Sequence, residues 1–537
     1  MGNDRISIIH RVTMETLKDI KTNMQSVTPE EVRNQIMESV RSAVKLENVN
    51  REKGEKIRLS ETLLPQQVAW VLNELHPISL IKTIDGRNDD TGNILGLYQE
   101  DGPDEGIYLT SEDVFIKIAR EYHPLISTGD LNEMFACLKD CAPQKPKCKD
   151  KNLIAVNNGI FDYDMKRLRP FTPDLVFLSK SRVSYKVNVQ NPVIHNNEDG
   201  TDWDVESWMN DLSDDPEVVH LLWQILGAII RPNVAWDKSA WLYSESGNNG
   251  KGTLCELMRE LCGKTSYASI ALSDFGKDFY LSQLLNASAI IVDENDVGTY
   301  IDKAANLKAV VTGDAIMINR KFKDPITYQF RGFMVQCLNE MPRVKDKSDS
   351  FYRRQIFIPF TKCFTGVERK YIKQDYLHRP EVLEYVLHKV LHMDYYELDV
   401  PASCQQALNE YKEFNDPVRQ FVSDIFPELQ WDLVPFTFLY DLYKAWYVKN
   451  VGRSDVVGKQ VFIKNLIAVL DENSEFICED KSKKYKTSTK MDKAEPLIAE
   501  YNLQEWMNPM MSGSHDIEKR CHPVLQANYR GIIRNDN

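Results

Sequence analysis

Residues 241–253, Trp-Leu-Tyr-Ser-Glu-Ser-Gly-Asn-Asn-Gly-Lys-Gly-Thr, have the residue types and spacing of a phosphate cradle. A short apolar strand runs into a Gly/Asn-rich loop, then a Gly-Lys pair, then a segment with helical apolar spacing from Leu254 to Leu261. In such a loop successive backbone N–H groups, the positive end of the following helix and one lysine together hold a triphosphate. Gly247, Asn248, Asn249 and Gly250 are residues that tolerate positive φ, and Lys251 is the candidate for the β/γ-phosphates. The usual pattern has Ser or Thr directly after the lysine to hold Mg²⁺; here that residue is Gly252, and Thr253 follows one step later.

A second chemical motif lies some forty residues on, where Ala289-Ile-Ile-Val ends in Asp293 and Glu294. Alternation along a strand would send these carboxylates to opposite faces, one to Mg²⁺ and one to the attacking water. Asp293 is the expected metal residue, with Thr253 the other candidate ligand, and Glu294 the expected base. Asn339 ends the apolar run from Phe333, where a polar side chain could orient water or sense the γ-phosphate. Arg353 and Arg354 open the next apolar run, and either could stabilise phosphoryl-transfer charge, in ring ATPases often across a subunit interface.

The surrounding pattern is multidomain α/β. The 537 residues allow about three domains, and a net charge of -13 excludes a uniformly basic nucleic-acid coat. No apolar run reaches membrane-spanning length, and the first residues lack an apolar signal core, so a cytoplasmic location is expected. The ten cysteines read as reduced, packed thiols; only Cys137, Cys141 and Cys148 cluster, with a spacing unlike common zinc knuckles. Helical periodicity over residues 10–45, a charged linker from Glu47 to Arg58, a helix over 63–75, strands near 92–98 and 105–109 and helices over 111–142 predict an α+β N-terminal region. A strand-turn-strand follows over 152–162, then two apolar helices between Trp203 and Arg231 lead into an α/β core that ends near Phe360–Phe364. Asn415-Asp-Pro417 marks a boundary.

Taken in order, these elements resemble a superfamily 3 helicase of the phage/plasmid primase-helicase type, over roughly residues 85 to 470. The poxvirus-type N-terminal domain and the replication initiators of phages and staphylococcal-type genomic islands are similar. The motif from Leu307 to Lys323 is the most specific part of the resemblance. It implies that Lys308 lies near an ATP interface and that Arg320, Lys321 and Lys323 form the basic tip of a hairpin in the central channel of a homo-hexamer. The β-prone runs 315–319 and 326–330 around a basic turn are what such a hairpin needs. Past residue 415 the chain resembles a winged-helix domain, with Lys483, Lys484 and Lys486 in a basic wing facing origin duplex DNA.

The fold expected is therefore an AAA+-like P-loop core over 201–395, between an α+β region over 1–200 and a winged-helix-like C-terminal domain over 396–537. The expected function is an ATP- and Mg²⁺-dependent replicative DNA helicase and self-loading initiator. It would act on single-stranded DNA, with host or element-encoded replication proteins as partners. A nucleotide-switched DNA-binding or packaging ATPase, or the helicase part of a primase-helicase system, are the alternatives.

Overall fold

A computed structural model describes residues 2–22, 27–84, 92–321, 323–451, 456–470, 475–511 and 516–535. The chain forms two compact units, Met1–Gln405 and Gln406–Asn537.

The first unit begins with α1 (Gly2–Thr22), α2 (Pro29–Val49) and α3 (Pro65–Leu75). Thr28 and Glu31 form a reciprocal cap at the start of α2, whose Val32, Ile36, Val40 and Val44 make the buried stripe that the sequence spacing predicts. The helix runs into the segment expected to be linker. Strands β1 (Ile78–Lys82), β2 (Ile94–Tyr98) and β3 (Tyr108–Leu109), helices α4 (Glu112–Tyr122) and α5 (Thr128–Cys141), and strand β4 (Gln144–Pro146) complete this α+β region. The sheet order is β3-β2-β1-β4, and the five helices share one apolar core with β1 and β2. Of the strand expected over 105–109 only the last two residues pair, because the preceding residues form an acidic turn.

A three-stranded meander follows, β5 (Leu153–Val156), β6 (Gly159–Asp162) and β7 (Arg167–Arg169), then the short pair β8 (Ile194–His195) and β9 (Asp202–Trp203). Helices α6 (Val205–Asp211) and α7 (Pro216–Ala228) each start on an aspartate cap, Asp204 and Asp215. Ten consecutive-face residues of α7 are buried, which makes it a core helix. Just past it, the guanidinium of Arg231 is buried 3.7 Å from the Tyr163 ring and donates to the Tyr395 carbonyl at 2.9 Å. That contact ties the meander to the helix preceding the central strand.

The core sheet contains β10 (Ser239–Tyr243), β11 (Tyr267–Ala268), β12 (Ala289–Val292), β16 (Phe333–Leu338) and β18 (Gln355–Pro359) in the order β11-β12-β16-β10-β18, all parallel. Parallel strands covered on both faces read as unbroken apolar runs, as these do. Helix α8 (Lys251–Cys262) follows β10. The connection from β12 to β16 carries β13 (Tyr300–Ile301), α9 (Ala305–Thr312) and an antiparallel hairpin of β14 (Ala315–Arg320) and β15 (Lys323–Gln329). Strand β17 (Arg343–Val344) pairs with β13, and α10 (Asp349–Tyr352) leads into β18. Helices α11 (Lys370–Gln374), α12 (Pro380–His392) and α13 (Ala402–Asn415) follow.

The second unit contains α14 (Pro417–Ile425), β19 (Leu433–Pro435), α15 (Phe436–Val451), α16 (Lys459–Leu470), β20 (Phe476–Ile477), β21 (Lys484–Lys486) and β22 (Asn528–Arg534). Strand β22 pairs antiparallel with β19, β20 and β21. An aromatic core built on Phe421, Trp431, Phe438, Tyr443, Trp446 and Phe462 holds the helices to the sheet.

Glu495 is fully buried in this unit; one carboxylate oxygen accepts from the Gln430 N–H at 2.9 Å and the other has no partner. Burial pushes its pKa up to about 7, against the pull of backbone N–H groups from Gln430, Trp431 and Leu497. The folded state therefore binds this proton more tightly than the unfolded chain. The stability so gained is complete below the ordinary glutamate range and lost as pH rises through about 7. Glu495→Gln is expected to stabilise the C-terminal unit at pH 8 by at most about 3 kcal/mol, raising its unfolding midpoint there but not at pH 4. Thermal unfolding of the full chain at both pH values checks this.

Candidate nucleotide and nucleic-acid site

Strand β10 is buried between β16 and β18, with Trp241 fully enclosed against Phe351 and Phe357. Its carboxyl end opens into the Gly/Asn-rich loop, the end of a parallel sheet at which ligands bind. Of the four residues expected to take positive φ, two do: Asn248 at 52° and Gly250 at 86°. Gly250 is the cap of α8 in the left-handed region that favours glycine, and a Cβ there would press on Leu212 Cδ2 at 2.6 Å. Gly247 is surrounded by open space and has no such requirement. Asn249 is buried and braces the loop instead, accepting from the Lys251 N–H at 3.3 Å and donating to the Ser246 carbonyl.

Lys251 is buried at the start of α8. Its ammonium donates to the Ser244 carbonyl at 3.2 Å and to Asn339 Oδ1 at 3.1 Å. Burial lowers its pKa, opposed by the neighbouring thiols Cys337 and Cys255. Two of its three donors are used within the chain, which leaves one for a ligand. Asn339, at the end of β16, is thus a partner of the lysine as well as a candidate water ligand.

The acidic pair differs from its expected arrangement. Strand β12 ends at Val292, so Asp293 and Glu294 lie beyond the alternation that would send them to opposite faces. Asp293 accepts from both terminal nitrogens of Arg259 on α8, at 3.1 and 2.8 Å. Those hydrogen bonds hold its carboxyl below the usual range, against partial burial and with a further contribution from Lys373. Glu294 is exposed. Asn295, which sequence reasoning did not single out, is buried: it accepts from the Leu272 N–H at 2.9 Å and donates to Gln336 Oε1 and the Cys337 carbonyl at 3.0 Å each. It pins the carboxyl ends of β12 and β16 together.

Thr253 is half-buried near the start of α8. It lines a cavity of about 470 Å³ together with Asn248, Gly250, Trp208, Phe364 and Lys373. As for Mg²⁺, Gly252 offers no side-chain oxygen, and Asp293 would have to exchange Arg259 for the ion. The fit therefore rests on Asp293 and Glu294 as outer ligands, with phosphate oxygens and water supplying the rest of the shell.

Lys308, on α9, is ion-paired with Asp346 at 2.6 Å. Arg353 and Arg354 precede β18, whose first residue aligns with Ser239, so they sit at the amino edge of the sheet. Arg353 is exposed, whereas Arg354 folds back onto Ser350. In the β14–β15 hairpin, Arg320 lies opposite Lys323, with Lys321 in the turn and Phe322 outside the described residues. Arg320 donates to the Asp324 carbonyl at 2.9 Å, and Lys323 pairs with Glu112 of α4 at 2.7 Å. The hairpin places these residues at its tip, where Arg320 and Lys323 are engaged within the unit. In the second unit Lys483 pairs with Glu479, while Lys484 and Lys486 are exposed on β21, with Lys484 opposite Arg530 of β22. Arg530 was missed because it lies 46 positions from Lys484 in sequence and only strand pairing brings it there.

Residues 94–214 match the family described as D5 N terminal like, and residues 413–502 the family described as Poxvirus D5 protein-like. The chain resembles the D5-type primase-helicases. Between the two D5-type segments, residues 242–354 match a family of unknown function, DUF5906, which spans the phosphate loop, the acidic pair and the hairpin. A curated relative, "Putative helicase L207/L206" of Acanthamoeba polyphaga mimivirus, is 25% identical over 249 residues, which are 42% of this chain and 24% of the relative. The chain thus matches about a quarter of that protein's length. Among solved structures, two apo forms of the NrS-1 C terminal region align at 13% identity. One covers 88% of this chain and 100% of the other at a TM-score of 0.42, the second 77% and 90% at 0.38. Among the described residues no helix is long and apolar enough to cross a membrane.

Asn295→Ala is expected to destabilise the first unit by roughly 2–4 kcal/mol, because it leaves a buried N–H and two buried acceptors unpaired. Denaturant unfolding of the full chain measures it; a change below about 0.5 kcal/mol would remove Asn295 from this role.

Proposed function

We propose that the protein is an ATP-dependent replicative DNA helicase and a self-loading replication initiator of a phage, plasmid or genomic island. The observation that carries this reading is the buried Lys251, held between the loop carbonyl of Ser244 and Asn339 with a donor to spare at the carboxyl end of a parallel sheet. In this reading the loop N–H groups and Lys251 bind the phosphates, and the adjoining cavity with Trp208 and Phe364 takes the base and ribose. Asp293 and Glu294 would hold hydrated Mg²⁺, with Glu294 as the base for the attacking water and Asn339 placed to sense the γ-phosphate; the ion, when bound, would supply charge neutralisation. The core of 201–395 acts between an N-terminal region of about 200 residues and a C-terminal domain from 396.

The ring reading has support in the sheet itself. Arg353 and Arg354 lie about 17 Å from the phosphate loop along β18, five residues at roughly 3.3 Å each. Neither serves its own loop; either acts, if at all, on a neighbouring subunit's nucleotide, and exposure favours Arg353 as the finger over Arg354. Lys308 belongs to the same interface. The hairpin's Arg320, Lys321 and Lys323 then meet single-stranded DNA in the channel of a homo-hexamer, once Lys323 exchanges Glu112 for phosphate. Strand order β19-β22-β20 behind α14, α15 and α16 supports a winged-helix reading of the second unit. Its Lys483, Lys484 and Lys486 would contact duplex DNA.

ATP-dependent strand separation on a 3′-tailed fork tests the reading directly. Wild type is expected to unwind with DNA-stimulated hydrolysis and Lys251→Ala to do neither. DNA-stimulated hydrolysis without unwinding, across tail polarities and protein concentrations, would point to a switch or packaging ATPase. Lys321→Ala with Lys323→Ala is expected to keep basal hydrolysis and to lose at least tenfold of its DNA stimulation, with a shallower salt dependence of single-strand binding. Normal unwinding by that double variant would overturn the hairpin assignment.

A further inference from the structure

The phosphate loop lacks the side chain that usually follows its lysine, and the space beside that position is not empty of charge. A Cβ built on Gly252 would meet a single atom within 4 Å, the ammonium nitrogen of Lys373 at 3.8 Å. Lys373 belongs to α11, more than a hundred residues downstream, and its ammonium forms no hydrogen bond or ion pair among the described residues. A lysine ammonium carries three donors and no acceptor, so this one, which acts on Asp293 only through its charge, has its three donors free for an anion.

Its backbone is not left loose. Ile372 is buried in the core of the first unit, and the Tyr371 hydroxyl donates to Asp199 Oδ2 at 2.7 Å. On the other side, His378 faces the Lys373 carbonyl with Nε2 at 3.0 Å and Glu260 of α8 with Nδ1 at 3.3 Å. The imidazole therefore bridges the backbone of Lys373 to the helix that begins at Lys251. Glu256, one turn earlier on α8, lies 4.0 Å from the same ring. Arg369, Lys370 and Lys373 all line the cavity that Asn248, Gly250 and Thr253 open onto, a concentration of cations on a chain of net charge -13.

We propose that Lys373 is a second phosphate-binding lysine of this site, reaching the nucleotide's terminal phosphates across Gly252. The proposal rests on reading the loop as a nucleotide site. At Gly252 the ammonium lies beside the first turn of α8 with no side chain between them. Lys251 grips from within the sheet and Lys373 from the solvent side, so the two are not redundant.

The test uses the full chain as wild type, Lys251→Ala, Lys373→Met and Lys373→Arg, each first checked for an unchanged thermal midpoint without nucleotide. Equilibrium binding of a slowly hydrolysed fluorescent ATP analogue is measured with Mg²⁺ and again in EDTA. Lys373→Met is expected to weaken binding about tenfold or more in both conditions, the scale of one lost charge-assisted hydrogen bond. Lys373→Arg should stay within about threefold of wild type, since the charge is kept. Wild-type affinity in Lys373→Met would overturn the proposal while leaving the loop assignment intact. Failure of wild type itself to bind, with Lys251→Ala indistinguishable from it, would overturn the loop assignment and this inference together.

Discussion

A lysine ammonium taken out of water at the mouth of a parallel sheet must recover its solvation from oxygens at fixed positions, and much of the first unit follows from that demand. Lys251 finds one oxygen in its own loop and the other on the neighbouring strand. Both are in place only if β10 and β16 end together, which the pairing of Tyr243 with Leu338 ensures. Asn295 strengthens the same end of the sheet by joining the β12 exit to β16. Loss of that alignment would leave a buried charge facing one acceptor instead of two, at a cost of several kcal/mol.

The sheet also separates the charges of the unit by function. At its carboxyl edge lie the phosphate loop, the acidic pair and, across Gly252, Lys373. At its amino edge lie Arg353 and Arg354. Because a parallel sheet has distinct ends, these groups cannot exchange places by side-chain motion. The phosphate loop and the paired arginines are thereby kept a strand's length apart.

Much of the remaining basic character is held in reserve. Lys308, Lys323, Lys483 and Arg259 each face a carboxylate, namely Asp346, Glu112, Glu479 and Asp293. The more exposed of these pairs, Lys323–Glu112 and Lys483–Glu479, contribute little to stability and can be exchanged for other anions. Asp293 is the exception in degree, since Arg259 grips it with two nitrogens.

Local sequence was enough to determine the strand, loop and helix around Lys251, the buried run before Asp293, the β14–β15 hairpin and the caps of α2, α6 and α7. Each depends on residues within a few positions, where period, turn chemistry and φ preference act directly. Even there the loop divided its labour unexpectedly: Asn249, expected to supply conformational freedom, serves as a brace, and Gly247 has no steric need to be glycine. What only the tertiary structure decided were the partnerships. Arg259 reaches Asp293 because one turn of α8 packs beside β12, Asn339 meets Lys251 because two strands are in register, and Thr253 shares a cavity with Trp208 and Phe364. Lys373 is the clearest case: nothing within ten residues of it marks a phosphate ligand, and its place over Gly252 comes from the return of the chain after β18 and from one histidine bridge to α8. Contacts of that kind depend on sheet order and chain return, which no local period encodes.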